Sequence, residues 1–401
     1  MSALRSRSLR LTPLFIVSTL ALAGCHHDAD DNTAATANTP PAPASTMPPS
    51  ASTVAQPAAS MAQPDAQMQA VLDQLQKLGA KPIESLTPAQ ARAQPSPADA
   101  VKAVLKAQGK PVTPEPVDKV RDSSFPGPGG AVPIRIYTPS GSGPMPVILY
   151  IHGGGWVIAN LDTYDASPRA LANGANAIVV STHYRQAPEH PFPAAHEDTL
   201  AAYKWVLANA AKLGGDPKRV AVVGESAGGN MAADIALAAR DQKLQAPVAQ
   251  VLVYPVAGND TNTPSYIENA NAKPLSKAAM EWFIKYTFKD PKDAQDPRID
   301  LVHRTDLAGV APATVIVDQI DPLRSEGRAY ADALKAAGVP VTLQQYDGVT
   351  HEFFGMGAVV DKAKQAEQFA SDQLKKAFAS SASTPPANSS AAMPSTTPPA
   401  P

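Results

Sequence analysis

Residues 220–230 read Val-Ala-Val-Val-Gly-Glu-Ser-Ala-Gly-Gly-Asn and decide the fold. The four leading apolar residues are typical of a strand covered on both faces, and the Ala-rich stretch 230–239 that follows is typical of a helix. Between them, the pattern Gly-x-Ser-x-Gly places Ser226 on a tight turn, with Gly224 and Gly228 where a side chain would collide with neighbouring backbone. Ser226 is therefore the candidate nucleophile.

A second glycine string lies upstream of this turn. His152-Gly153-Gly154-Gly155 directly follows the apolar run 147–151. Three successive glycines leave backbone N–H groups unobstructed, and such donors can stabilise the oxyanion of an acyl-transfer intermediate by about 3 to 4 kcal/mol each. Alone, the string is consistent with an ordinary glycine loop. Together with the serine turn it favours acyl-transfer chemistry.

Apolar runs separated by Gly and Pro predict the architecture around the two motifs. Seven runs predict strands, at residues 132–137, 147–151, 177–182, 220–223, 248–254, 314–317 and 341–346. Helical stretches such as 199–211 and 227–240 alternate with them, which favours an α/β fold with a mostly parallel central sheet. Three shorter helices are predicted before the first strand, from residue 67 to Gly79, after Thr87-Pro88 and over residues 98–107.

Together, the two strings make the sequence resemble the hormone-sensitive-lipase-like carboxylesterases, which have an α/β-hydrolase fold with helices flanking the sheet and a helical cap. Three further segments resemble the same family: 184–198, which begins Tyr-Arg-Gln-Ala-Pro-Glu; 321–324, Asp-Pro-Leu-Arg; and 351–354, His-Glu-Phe-Phe. The resemblance extends over about residues 68–378.

The resemblance implies a nucleophile with its acid and base, facing an oxyanion hole of backbone N–H groups: Ser226, Asp321 and His351, with Gly154, Gly155 and Ala227. The chain order Ser, Asp, His is the one expected for this fold, and each of the three follows an apolar strand. The implied reaction is hydrolysis of carboxylic esters with short to medium acyl chains through an acyl-enzyme; amidase or lactonase action on the same triad is the alternative. We expect no metal or organic cofactor, since N–H donors and the imidazolium supply the electrostatic stabilisation.

The sequence offers competing residues for the acid and the base. Asp318 directly follows the strand 314–317, but Asp321 is preferred because it precedes Pro-Leu, as the acid of the resembled family does. Asp318 is then a turn residue at the strand end. His152 is predicted to hold the glycine loop by hydrogen bonds. Nothing in position suggests catalysis for His183, His190, His196 or His303.

Several charged positions are notable against the family pattern. Glu225 stands where many relatives have Asp, Glu352 where Gly is usual, and Ser325 where an acidic residue is usual, so we expect an altered pH optimum or pocket shape. The resemblance implies that three further charged residues are buried near the site, where they form structural ion pairs rather than take part in catalysis: Arg185, Glu189 and Asp198.

Substrate choice is expected to rest with a cap, built from the helices of residues 67–107 and an insertion at residues 259–306. The insertion carries five aromatic side chains: Tyr266, Trp282, Phe283, Tyr286 and Phe288. They form either the core of the cap or the wall of the pocket, and cap core is the preferred interpretation.

The N-terminal residues indicate export and anchoring. A basic segment ending at Arg10 precedes the apolar stretch 11–23, which is too short to span a membrane and predicts a signal peptide over residues 1–24. Residues 22–25, at the end of this stretch and just beyond it, read Leu-Ala-Gly-Cys and resemble the lipobox of bacterial lipoproteins. Cys25 is the only cysteine of the sequence. A lipidated Cys25 would anchor the protein in the bacterial cell envelope, facing the periplasm or in the outer membrane; an ordinary signal peptide is the alternative.

Low-complexity tracts flank the predicted hydrolase domain. Residues 25–66 and 380–401 are dominated by Ala, Pro, Ser and Thr, so both are predicted to be disordered, which leaves residues 67–379 as the folded domain. The formal net charge of −2 gives no single-sign field to attract nucleic acid. The expected partners are a small ester substrate and, through Cys25, the membrane; the alternative is a non-catalytic envelope scaffold that binds proteins through its Pro-rich arms.

Overall fold

The structure, a computed structural model, describes residues 61–382. The predicted signal peptide, Cys25 and most of both low-complexity tracts lie outside the described residues. The first helix begins at Ala66 and the last ends at Ala382, close to the predicted domain limits. Within this part of the chain, no helix combines the length and apolarity needed to cross a membrane.

Eight strands form one sheet in the order β1-β2-β4-β3-β5-β6-β7-β8. The strands are β1 (Lys119–Gly127), β2 (Gly130–Thr138), β3 (Met145–Ile151), β4 (Ile178–Thr182), β5 (Gly215–Glu225), β6 (Gln250–Val253), β7 (Ala313–Ile320) and β8 (Val341–Thr350). β2 pairs antiparallel with both β1 and β4, and every other neighbouring pair is parallel. The predicted mostly parallel α/β-hydrolase sheet is confirmed.

Ten α-helices lie among the described residues: α1 (Ala66–Lys77), α2 (Pro88–Ala93), α3 (Pro97–Ala107), α4 (Ala166–Ala175), α5 (Ala194–Asn209), α6 (Ala227–Asp241), α7 (Pro264–Glu268), α8 (Lys277–Thr287), α9 (Arg324–Ala336) and α10 (Asp361–Ala382). Short 3₁₀ turns occupy Ile83–Ser85, Ala210–Leu213 and Pro291–Gln295. The helices alternate with the parallel strands, as their crossover connections require.

Local sequence fixes where the first helices begin. Asp65 caps α1 by accepting a hydrogen bond from the Met68 N–H at 2.9 Å. α2 and α3 each begin with a proline after a capping box, formed by Thr87 with Gln90 and by Ser96 with Asp99. A side-chain oxygen in these boxes satisfies an N–H group that the helix itself leaves unpaired.

The two faces of the sheet are covered by different helices. Strand β3 contributes side chains to both faces. Val147, Leu149 and Ile151 point into a core shared with α5, α6, α8 and α9. Ile148 and Tyr150 point the other way, into a core shared with α1, α3, α4 and α10. A strand covered on both faces needs an unbroken apolar run.

The first strand was not predicted. β1 is an edge strand that pairs only with β2, and most of its side chains are exposed, with Phe125 alone buried. An edge strand with solvent around it needs no apolar run, so the pattern that identified the other strands is missing here.

Cap segments from two distant parts of the chain meet beside the carboxyl edge of the sheet. The indole N–H of Trp282 in α8 donates to the Leu86 carbonyl oxygen at 2.8 Å. Arg92 in α2 donates to the carbonyl oxygens of Val157 and Ala187 at 2.8 and 2.7 Å. These bonds fasten the predicted N-terminal cap helices both to the insertion and to the loops that follow β3 and β4.

Replacing Leu149 by alanine should lower the free energy of unfolding by about 3 kcal/mol, because the fully buried side chain leaves a cavity in central strand β3. Urea or thermal denaturation measures the change. The matched control is Ile267→Ala, whose side chain is 61% exposed, with an expected change within about 0.5 kcal/mol. Equal effects of the two substitutions would contradict the assignment of β3 to the core.

Candidate active site

The turn that carries Ser226 is built by close backbone packing. Ser226 has φ 57° and ψ −120° between β5 and α6, a conformation rarely adopted by residues with side chains. A Cβ at Gly224 would overlap the Gly228 carbonyl, and one at Gly228 would overlap the Ile151 carbonyl at the end of β3. Both glycines of the motif are therefore needed sterically, as predicted, and the turn packs directly against the strand that leads into the glycine loop.

The structure brings Ser226, His351 and Asp321 together in one hydrogen-bonded row. His351 Nε2 lies 3.0 Å from Ser226 Oγ, and its Nδ1 lies 2.8 Å from Asp321 Oδ2. The other oxygen of Asp321 accepts the Leu323 N–H at 2.9 Å, which fixes the carboxylate. All three side chains are buried, and they come from the ends of β5, β7 and β8 at the carboxyl edge of the sheet.

Negative charges around His351 favour its protonated form. Burial lowers the pKa of His351, but the charge and hydrogen bond of Asp321, together with the charges of Glu352 and Glu225, outweigh burial and raise the pKa above its usual value. An imidazole in this setting can accept a proton from Ser226 and is stabilised once it carries the charge.

Asp318, the alternative acid, lies close to both Asp321 and the imidazole but is not hydrogen-bonded to His351. A carboxylate oxygen of Asp318, one of Asp321 and a ring nitrogen of His351 lie within 4.8 Å of one another, but the hydrogen bond to His351 is made by Asp321. Asp318 lies inside strand β7, opposite Tyr346, so its expected position in a turn after the strand is wrong. Burial and then the charge of Asp321 raise the pKa of Asp318 well above its usual value, which favours its uncharged form.

The glycine loop faces Ser226 in backbone conformations that favour glycine. Gly154 has φ 87° and Gly155 has φ 54°, and a Cβ at either position would overlap a neighbouring group, Ile158 or Phe283. Gly154 and Gly155 line the same cavity as Ser226. Ala227 is the first residue of α6, and the N–H groups of a helix's first turn have no partner within the helix. Two of the predicted donors, Gly154 and Gly155, thus line the cavity that contains Ser226, and the third, Ala227, follows the serine in the chain.

His152 holds this loop, as predicted. Its Nδ1 lies 2.9 Å from the Gly153 carbonyl oxygen, and its ring stacks on Tyr184 with centroids 4.5 Å apart. The Tyr184 hydroxyl donates to the same carbonyl at 2.8 Å. His183, for which no role was predicted, lies 3.1 Å from His152 through Nδ1 and lines the cavity. Its place was not visible in the sequence, because the strand-end loop alone does not show which way its side chain turns.

Glu225 lies behind the serine in a buried polar pocket that the sequence did not reveal. Its carboxylate accepts hydrogen bonds from the hydroxyl groups of Tyr150 and Tyr254. Burial raises the pKa of Glu225 to about 7, against the lowering effect of these hydroxyl donors. Glu225 itself was noted as a departure from the family pattern, but both tyrosines lie in apolar runs that pattern analysis assigns to the core.

The three residues predicted to form structural ion pairs belong to two separate pairs, one of which includes a fourth residue, Arg92. Arg185 binds the buried Asp198 through two side-chain contacts, both 2.9 Å. Glu189 instead binds Arg92 of the cap, and its side chain is 57% exposed, so the expectation that Glu189 is buried is wrong. Arg92 was not recognised in the sequence because its partner comes from 97 residues away.

A cavity of about 1000 Å³ opens above Ser226 and His351. Its walls come from the N-terminal helices, the glycine loop and the insertion, so the predicted cap does roof the site. Phe283 lines it; the other four predicted aromatics, Tyr266, Trp282, Tyr286 and Phe288, do not. Cap core was therefore the correct interpretation for most of the aromatics and wrong for Phe283.

Fold and site together match a known family. A family model described as alpha/beta hydrolase fold matches residues 148–355, from the strand before the glycine loop to just past His351. The chain belongs to the hormone-sensitive-lipase-like carboxylesterases.

Individual relatives of this carboxylesterase agree on the reaction. Carboxylesterase NlhH of Mycobacterium tuberculosis is 42% identical over 252 residues, which are 62% of this chain and 79% of that protein. The ethyl acetate hydrolase of Pseudomonas putida is 38% identical over 242 residues, 59% of this chain and 76% of that one. The solved structure of a hyperthermophilic esterase from Pyrobaculum calidifontis has a TM-score of 0.71 at 35% identity, covering 79% of this chain and 99% of that chain. The protein is a serine hydrolase of carboxylic esters.

Replacing Glu352 by glutamine should shift the acidic limb of the kcat/KM profile to lower pH, by about 0.5 unit for a neutral ester. The imidazole must be neutral to take the serine proton, and removing a negative neighbour lowers the pKa at which it becomes neutral.

Glu84→Gln is the matched control for this shift. Glu84 lines the same cavity, but it is exposed on the 3₁₀ turn of the cap, and its loss should leave the profile in place. An acidic limb that moves to higher pH in Glu352→Gln would contradict the assignment of His351 as the titrating group.

Proposed function

We propose that Ser226, His351 and Asp321 hydrolyse carboxylic esters of short to medium acyl chain length through an acyl-enzyme intermediate. The observation that carries the proposal is the continuous row from Ser226 Oγ to His351 Nε2 at 3.0 Å and from His351 Nδ1 to Asp321 at 2.8 Å. This arrangement supplies a nucleophile, a base within proton-transfer distance and an acid that fixes the tautomer of the base.

The reaction then runs in two steps. His351 Nε2 takes the Ser226 proton as Oγ attacks the ester carbonyl, and Nε2 returns that proton to the leaving alkoxide when the carbon–oxygen bond breaks. Water, activated by the same imidazole, releases the acid and regenerates the serine. The N–H groups of Gly154, Gly155 and Ala227 are the donors proposed to stabilise the oxyanion in both steps.

The size and lining of the cavity support small to medium esters. Beside Ser226 the wall is formed largely by apolar side chains, among them Ile158, Val256, Phe283 and Ile320. A volume of about 1000 Å³ lies at the upper end of the range typical of small-molecule sites. The open outer part of the cavity is lined by cap residues, which are therefore proposed to determine how long a chain is accepted.

Activity towards 4-nitrophenyl butyrate tests the triad. Ser226→Ala should lower kcat by about 10⁶-fold, and Asp321→Asn by about 10⁴-fold, because the imidazole loses the partner that sets its tautomer. Asp318→Asn is the matched control: it removes a buried carboxyl group that is not hydrogen-bonded to His351, and the loss should be far smaller.

Two results would overturn this proposal. Equal rates for Ser226→Ala and the unaltered protein would show that another residue, or none, attacks the ester. A greater loss in Asp318→Asn than in Asp321→Asn would transfer the role of the acid to Asp318.

We also propose that this esterase is a lipoprotein of the bacterial cell envelope. The proposal is supported by the sequence of residues 5–25, in which a basic segment and a short apolar stretch lead to Leu-Ala-Gly-Cys25. A cysteine carrying more than one acyl chain would bind a membrane stably. The Pro-rich residues between Cys25 and helix α1 would then tether residues 67–379 at the membrane surface, with residues 380–401 as a tail.

Replacing Cys25 by serine tests the anchor. The full chain, expressed in a bacterium with lipoprotein processing, should move from the membrane pellet to the soluble fraction, because serine cannot carry the thioether-linked lipid. Ser226→Ala, handled in parallel, should stay in the pellet. If Cys25→Ser also stays in the pellet, lipid on Cys25 is not what holds the protein there.

A further inference from the structure

Glu352 places a carboxylate inside the active-site cavity. Its Oε1 lies 4.0 Å from His351 Nε2, and the side chain is 20% exposed towards the cavity that it lines together with Ser226. This carboxylate raises the pKa of His351, but it makes none of the hydrogen bonds of the triad. Its position in the substrate cavity also allows it to act on a bound substrate.

A tyrosine fixes the position of this carboxylate. The Tyr164 hydroxyl lies 2.6 and 2.7 Å from the two oxygens of Glu352, and the tyrosine itself is buried. Burial raises the pKa of Glu352, while the charge of His351 and the Tyr164 hydrogen bond act against burial. When ionised, Glu352 therefore places a negative charge at a fixed position in the cavity, beside the nucleophile.

The backbone conformation at position 352 favours glycine over the glutamate that is present. Glu352 has φ 71°, in the left-handed region that glycine adopts freely and that glutamate rarely adopts. Glycine would remove the strain and the charge together. Residues in such conformations cluster at active sites and ligand-binding sites.

Among the described residues, the ion-pair partner of Glu352 is His351, and no lysine or arginine is paired with it. Among the described residues that line the cavity, the cations are Lys81, Arg92 and Lys273. The two lysines are exposed, and Arg92 is paired with Glu189. A positive group on a bound substrate would therefore meet Glu352 without competition from a nearby lysine or arginine.

The geometry also indicates which half of an ester Glu352 faces. In the proposed reaction, His351 Nε2 hands its proton to the oxygen of the leaving alcohol. Since Glu352 lies 4.0 Å from Nε2 and lines the cavity, its carboxylate is close to the atom that hands over this proton, and thus to the alcohol side of the ester. A cation two carbons from the ester oxygen would reach within a few ångströms of it.

We propose that Glu352 makes this esterase select esters whose alcohol part carries a positive charge, such as esters of amino alcohols and of choline. This inference rests on the proposed function of Ser226 and His351, and it names the substrate class of the same site. Coulomb attraction across a partly buried gap of this size strengthens binding of the cation, and it repels an anionic alcohol group.

Butyrylcholine and its uncharged isostere 3,3-dimethylbutyl butyrate form the matched pair of probes. They share the acyl group and the shape of the alcohol, so the ratio of their kcat/KM values isolates the charge. With the full chain at pH 8, followed by acid release in a pH-stat, the ratio should fall about tenfold in Glu352→Gln. Glu352→Gly should lose the preference equally, because both variants lose the charge.

The outcomes separate this inference from the proposed function. If the unaltered protein and Ser226→Ala hydrolyse the uncharged ester equally, the serine mechanism fails. If the uncharged ester is hydrolysed through Ser226 but the ratio is unchanged in Glu352→Gln, the mechanism stands and the selection for cations is wrong. A ratio kept in Glu352→Gln and lost in Glu352→Gly would assign the preference to shape, which also overturns the inference. Glu84→Gln, on the exposed cavity wall, should leave the ratio unchanged.

Discussion

The active site depends on backbone packing between two strand ends. Gly228 of the serine turn lies against the Ile151 carbonyl at the end of β3, so closely that no side chain fits between them. This contact brings the glycine loop after β3 beside the serine after β5, because the two strands are parallel neighbours. The nucleophile and the glycine loop thereby share one edge of the sheet.

At that edge of the sheet, several acidic side chains surround the imidazole of His351. Asp321 bonds to His351 directly, while Glu225 and Glu352 act on it through space. Burial, and then the charge of Asp321, raises the pKa of Asp318 well above its usual value. The pKa of each acidic group at this site therefore depends on its burial and on the partners within its reach.

The cap is joined to this edge by a few specific polar contacts rather than by a continuous core alone. Arg92 connects α2 with the loops after β3 and β4, and Trp282 connects α8 with the segment before α2. Segments almost 200 residues apart thus form one roof over Ser226. The cavity beneath is lined by both segments, and of the insertion's five aromatic side chains Phe283 alone lines it.

The sequence by itself determined the parallel strands, the serine turn and the glycine loop, because each is a local pattern: an unbroken apolar run, or glycines whose spacing a tight backbone requires. With the family resemblance it also identified Asp321 and His351. Only the tertiary structure decided the neighbours. β1 lacks an apolar run because it lies at the exposed edge, and Glu189 is exposed because its partner belongs to the cap. The position of Asp318 beside Asp321 and of Glu352 beside His351 depends on side-chain direction, which strand patterns do not record.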